Sequence, residues 1–98
     1  MSLDKNQLRH LKSLAHNRKP IVSVGQKGLS QNVIKESKTA LHHHELVKIK
    51  VSSENREMRD RIINQLCDET GAECIQKIGG KAVFYLRNKK KPVIIFPE

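Results

Sequence analysis

A GxxG motif, two glycines three residues apart, is the part of this sequence whose residue types and spacing best suit a chemical role. The motif Gly25-Gln26-Lys27-Gly28 follows a short β-branched run and precedes Ser30, a residue that can begin a helix. Glycines lack the Cβ that would hold a phosphate away from backbone N–H groups, and the N-terminus of a following helix adds partial positive charge. A bare GxxG can also be a plain tight turn. Lys27 inside the motif, with Arg18 and Lys19 before the strand, favours phosphate binding.

Other chemistry finds no support in the residue pattern. The GxxxxGK[ST] motif of nucleotide triphosphatases is absent, and no third glycine completes a dinucleotide fingerprint. His42-His43-His44 cannot all face one ion, because consecutive helical residues point about 100° apart. We predict a helix end there, with one histidine packed inward and the others solvated. Cys67 and Cys74 lack metal spacing and are predicted to be buried thiols. No nucleophile–base motif is present, so we predict no enzyme, no metal and no cofactor.

The charge indicates a polyanionic partner. Nineteen Lys and Arg against ten Asp and Glu leave a net charge of +9 on 98 residues. Residues 1–50 hold ten basic and three acidic side chains, a net of +7, whereas residues 51–98 hold nine and seven, a net of +2. Such an uneven excess of positive charge is typical of nucleic-acid binding. Charge that serves only solubility would be spread evenly along the chain. We therefore expect the binding residues mainly in the first half.

Apolar spacing predicts three helices and four strands in one domain. Leucines at three- and four-residue spacing predict a first helix ending before Pro20, and Ile21–Val24 predicts a short strand. A second helix starts after Ser30 and is predicted to bury one face, formed by Val33, Ile34, Ser37, Ala40, Leu41 and His44. Residues 46–51 alternate as a strand. Ser53 or Asn55 caps a third helix, predicted to bury Met58, Ile62, Ile63, Leu66 and Cys67.

The end of the chain predicts a hairpin. Gly71 suits a helix C-terminus, and Gly79-Gly80 suits a tight turn between strands at about 72–78 and 81–87. The fold class is therefore α/β, in the order α-β-α-β-α-β-β, with a four-stranded mixed sheet on which the helices pack. If the strands run in order without reversal, both crossover helices lie on one face of the sheet. Residues 1–98 are predicted to form one domain. Residues 88–98, which begin with the basic cluster Lys89–Lys91, are predicted to be either a basic tail or an edge strand.

The candidate nucleic-acid contacts extend beyond the glycine motif. The first helix carries a basic stripe, and the strand at 46–51 turns two lysines outward, which gives the candidate residues Lys5, Arg9, Lys12, Lys48 and Lys50. Phe84, Tyr85 and Phe96 are the only Phe, Tyr or Trp residues, too few for a base-stacking platform. The pattern therefore favours recognition of backbone and shape in structured RNA. A basic module that binds an acidic protein is the alternative.

Three blocks of sequence resemble the CRM domain, the chloroplast RNA splicing and ribosome maturation domain. They are the block from Pro20 through the glycine motif to Ser30, the block His44–Lys50, and Ile78-Gly79 leading into Val83–Tyr85. The length is similar to that of the stand-alone bacterial YhbY-type proteins.

The resemblance implies both a fold and a role. The fold would be similar to the C-terminal domain of translation initiation factor three, and Gly25–Gly28 would contact the RNA backbone as KH domains do. In plant organelles this domain serves intron splicing within larger proteins, and the bacterial single-domain form is linked to maturation of the large ribosomal subunit. We thus expect a cytoplasmic monomer whose partner is ribosomal RNA in precursors of the large subunit, with neither a membrane nor a small-molecule substrate.

Overall fold

The computed structural model describes residues 3–97. Three helices and four strands follow one another in the predicted order α-β-α-β-α-β-β. They are α1 (Lys5–His16), β1 (Val22–Val24), α2 (Gln31–His44), β2 (Leu46–Val51), α3 (Arg56–Thr70), β3 (Glu73–Ile78) and β4 (Lys81–Tyr85).

Side-chain caps set where α2 and α3 begin. The Ser30 hydroxyl accepts a hydrogen bond of 3.2 Å from the Val33 N–H, which confirms the predicted start of α2. Of the two candidates for α3, Asn55 is the cap, and its Oδ1 accepts from the Met58 N–H at 2.8 Å. Ser53 instead bonds to the backbone of Asn55. These bonds satisfy N–H groups that a helix start leaves without partners.

The sheet is mixed, as predicted, with strand order β1-β2-β4-β3. Strand β1 runs parallel to β2, and β4 runs antiparallel to both of its neighbours. Gly79-Gly80 turns β3 into β4, and Cys74 pairs with Phe84 beside an irregularity in register between Cys74 and Gln76. Because β4 lies inside the sheet, four of its five residues are buried.

Helices cover both faces of the sheet. One face carries α2 and α3, which confirms the prediction for the two crossover helices, and its core includes Ile63, Leu66 and Phe84. The other face carries α1 and the C-terminal segment around Leu11 and Ile94. Alternation along β2 sends Val47, Ile49 and Val51 toward the first face and Leu46, Lys48 and Lys50 toward the second.

Two predicted core positions are wrong. Met58 is 45% exposed, because it lies in the first turn of α3, where that turn lines a groove at the sheet edge. His44 is exposed, as are His42 and His43, so none of the three histidines packs inward. The inward position is taken by Glu45, whose positive φ of 62° turns the chain from α2 into β2.

The C-terminal segment docks on the body. Residues 86–97 contain no strand, and Ile94 is buried against the face that carries α1. The Phe96 ring contacts those of Tyr85 and His10, with centroids 6.0 and 5.7 Å apart. The segment therefore forms part of the second core.

Candidate nucleic-acid interface

The glycine motif forms an open turn between β1 and α2. The Gly28 N–H donates to the Gly25 carbonyl at 3.0 Å, so Gln26 and Lys27 occupy the two central positions of the turn. Gly28 has φ +85°, a conformation that residues with a side chain rarely adopt. A Cβ built on Gly25 or Gly28 meets nothing within 4 Å. The backbone of this turn is therefore accessible from solvent at both glycines.

The parallel pairing of β1 with β2 brings two loops together at one edge of the sheet. The Ser52 N–H donates to the Val24 carbonyl at 3.0 Å, so the loop after β2 lies beside the glycine motif. A groove of about 470 Å³ separates them, and its lining includes Lys27, Gly28, Ser53, Met58 and Arg61. The N-termini of α2 and α3 both lie at this edge. Their partial positive charges add to those of the side chains.

The same edge carries cations that the sequence pattern did not single out. Lys81 pairs with Lys50 across β2 and β4, and both side chains are exposed. Arg61 forms an i,i+4 ion pair of 3.3 Å with Glu57, as expected for a solvated helix face, yet it also lines the groove beside Gly28. The order of strands and helices and the hairpin were the signal for them, because parallel strands end at one edge of a sheet and an antiparallel neighbour begins there.

The basic stripe of α1 lies on the same side of the sheet as the two lysines of β2. Lys48 is half-buried and Lys50 is exposed, both on the sheet face that α1 covers. On one flank of α1, His10 contacts Phe96 of the C-terminal segment. Helical spacing puts the basic stripe on the opposite flank of α1. The exposed members of this stripe are Lys5, Arg9 and Lys12.

The structure does not bring Arg18 and Lys19 to the glycine motif. Both residues precede β1, whereas the motif follows it, so the whole strand separates them. Arg18 is half-buried, and its Nη1 donates to the Leu46 carbonyl at 2.7 Å. Lys19 is exposed at that same end. Arg18 thus ties the segment before β1 to the start of β2.

The two cysteines, predicted to be buried, are only partly so, and two of the three aromatic residues lie in the core. Cys67 and Cys74 are free and half-buried, and burial raises the pKa of both thiols. Phe84 and Tyr85 are buried, and burial together with the nearby Glu45 carboxylate raises the pKa of Tyr85.

Across residues 3–97, no group of three His, Cys, Asp or Glu side chains is arranged to hold a metal ion. In the same residues, no helix combines the length and the apolar character that crossing a membrane requires.

The fold and this edge define a small α/β domain with a solvent-facing glycine turn beside basic side chains. Residues 3–86 match the CRS1/YhbY (CRM) domain, and the chain belongs to this family.

Relatives from several bacteria are similar over most of their length. An "RNA-binding protein" of Haemophilus influenzae is 43% identical over 84 residues, which are 86% of this chain and 85% of that protein. The "Probable RNA-binding protein PA4753" of Pseudomonas aeruginosa is 34% identical, over 92% of this chain and 86% of its own. The "Probable RNA-binding protein YqeI" of Bacillus subtilis is 33% identical, over 97% of this chain and 99% of that protein.

A solved structure shares the fold. The solution structure of the hypothetical protein SAV1595 from Staphylococcus aureus superimposes with a TM-score of 0.82 at 34% sequence identity. The match covers 98% of this chain and 100% of that one. The arrangement of three helices on a four-stranded mixed sheet is therefore shared with this relative.

Proposed function

We propose that this protein binds the backbone of structured RNA through its glycine turn and the adjoining basic face, and that it assists assembly of the large ribosomal subunit. In this role it acts without a catalytic step, and its partner is ribosomal RNA in precursor particles. The names of its relatives support RNA as the ligand. The ribosomal role rests on the resemblance to the stand-alone bacterial proteins of this family.

The open glycine turn is the observation that carries the proposal. Its backbone is unobstructed at both Gly25 and Gly28, and Lys27, in the turn between them, is exposed. A phosphate can approach N–H groups there at hydrogen-bonding distance, close to the N-termini of two helices. Gln26 can add a side-chain contact to the same phosphate or to its ribose.

The basic face extends this contact to neighbouring phosphates. Lys48 and Lys50 on β2 and the stripe of α1 share one side of the sheet, which leads to the edge with the glycine turn. Long lysine and arginine side chains recognise phosphates without reading base edges. Since Arg18 and Lys19 lie at the other end of β1, they would contact a more distant part of the RNA.

Sedimentation of the tagged protein in cell lysates tests this function. We expect the protein to travel with particles that contain precursors of the large subunit, and to leave those particles when RNA is digested. Crosslinking followed by sequencing of the attached RNA should then recover ribosomal RNA. A protein that stays in a large complex after complete digestion of RNA would support the alternative, a basic module bound to an acidic protein.

A further inference from the structure

A buried carboxylate makes three hydrogen bonds to the backbone of the C-terminal segment. Glu45 is 0% exposed, and its Oε2 accepts from the Asn88 N–H at 2.7 Å. Its Oε1 accepts from the N–H groups of Val93 and Ile94 at 2.7 and 2.6 Å. Hydrogen bonds to an ionised acceptor are stronger than neutral ones. The segment therefore has a defined position on the surface.

A turn within this segment orders three lysines beside α2. The Asn88 side-chain oxygen accepts from the N–H groups of Lys90 and Lys91, both at 3.1 Å. Its amide nitrogen donates to the His42 carbonyl at 3.1 Å. Lys89–Lys91 are thus held on a fixed turn next to the last turn of α2, rather than on a loose tail.

A groove of about 400 Å³ lies between α2 and this turn. Leu86 provides the accessible part of an apolar floor, since Leu41, which also lines the groove, is only 1% exposed. The exposed Lys38, Lys89 and Lys90 line the groove as well. No acidic residue among the described ones lines the groove. An apolar surface edged with cations fits a ligand that has a flat, weakly polar part and an anionic part.

The groove is separate from the glycine turn. It lies at the C-terminal end of α2, while the turn lies at the N-terminal end. The 14 residues of α2 span about 20 Å at 1.5 Å per residue. The C-terminus of a helix carries partial negative charge, so an anion here depends on the lysine side chains.

We propose that this groove is a second RNA contact, which takes a single unpaired nucleotide. Lys38, Lys89 and Lys90 hold its phosphate, and its base lies on the apolar floor at Leu86. A paired base cannot reach such a floor, since its faces are covered by its neighbours in the helix, whereas a bulged base can. The inference rests on the proposed RNA binding and adds the kind of RNA that is preferred.

Two matched double variants of the full-length protein test this groove. K38A/K90A removes two cations that line it, and K35A/K91A removes two exposed cations from the same helix and the same turn that do not. The probes are an RNA hairpin with a fully paired stem and the same hairpin with one unpaired nucleotide in the stem. All four side chains are exposed, so both variants should fold, as circular dichroism can confirm.

The wild-type protein should prefer the bulged hairpin, and K38A/K90A should lose that preference. We expect a roughly tenfold loss of affinity for the bulged RNA, because two of the three lysines no longer contact its phosphate. K35A/K91A should keep the preference. Equal losses in the two variants, or an equal loss by K38A/K90A on both hairpins, would overturn the nucleotide site while leaving the proposed function intact. If the wild-type protein binds neither hairpin, the proposed function itself fails.

Discussion

The carboxylate of Glu45 accepts a hydrogen bond of 2.6 Å from the backbone N–H of Ile94, 49 residues further along the chain. This bond joins the start of β2 to the C-terminal segment. It lies in the interior, where Glu45 is fully buried and Ile94 is only 9% exposed. A buried carboxylate is tolerated only when hydrogen bonds replace its lost hydration, and here three N–H groups do so.

Glu45→Gln should therefore destabilise the protein. A carboxamide keeps one acceptor oxygen and turns an N–H₂ group toward an N–H donor, so at least one of the three bonds is lost. We expect a decrease of roughly 1–3 kcal/mol in the free energy of unfolding, measured in urea. Glu36→Gln, at an exposed position of α2, is the control and should change it by less than about 0.5 kcal/mol. Equal effects would show that the buried bonds contribute little.

Gly28→Asp and Gly28→Asn form an isosteric pair that isolates charge at the glycine turn. Asn and Asp adopt positive φ more readily than other residues with a side chain, and both would project into open space. Both variants should therefore remain folded. Asp places an anion where the phosphate is proposed to bind, so we expect it to weaken RNA binding at least tenfold more than Asn. Equal binding by the two variants would mean that no phosphate approaches Gly28.

Lys27→Ala should weaken binding by a similar factor for RNAs of different sequence. A lysine that neutralises a phosphate releases counterions, so the slope of log affinity against log salt should become shallower by about 0.7–0.9. Fluorescence titrations at several salt concentrations measure this slope. Lys35→Ala removes the same charge from an exposed position of α2 and is the control. A loss confined to one RNA sequence would indicate base recognition instead.

Ile63→Ala and Met58→Ala compare a buried with an exposed apolar side chain on the same helix. Ile63 is 0% exposed in the core under α3, whereas Met58 is 45% exposed. Truncation of Ile63 should cost roughly 2–5 kcal/mol, because it removes buried methyl groups and leaves a cavity. Met58→Ala should cost less than about 1 kcal/mol. Chemical denaturation of both variants checks the difference, and comparable losses would contradict the burial of α3 described above.

The two thiols should make stability fall at alkaline pH. Burial raises the pKa of Cys67 and Cys74 above the ordinary value of 9.0, so the folded protein keeps thiol protons that the unfolded chain releases. Stability is then complete below about pH 9 and declines as pH rises through the raised values. The variant with both cysteines replaced by alanine should lose part of this decline and should bind RNA normally. An unchanged pH profile would show that the thiols do not contribute.

Local features of the structure could be predicted from the sequence. Ser30 begins α2, Gly71 ends α3 in the left-handed conformation, and Gly79-Gly80 forms the hairpin turn. Each of these depends on backbone dihedral angles and hydrogen bonds within a few residues, which the side chains present there decide. The alternation along β2 likewise determined that Lys48 and Lys50 share one face.

Contacts between distant residues required the tertiary structure. The exposure of Met58 and His44, the burial of Glu45 and the hydrogen bond from Arg18 to the Leu46 carbonyl were not visible in local patterns. A charged residue such as Glu45 is expected at the surface when only its sequence neighbours are known. Only the tertiary structure shows that three N–H groups of a remote segment surround its carboxylate. Strand order and the face that each helix covers decide which side chains come into contact. Both follow from the packing of the whole chain, not from the few residues next to each side chain in the sequence.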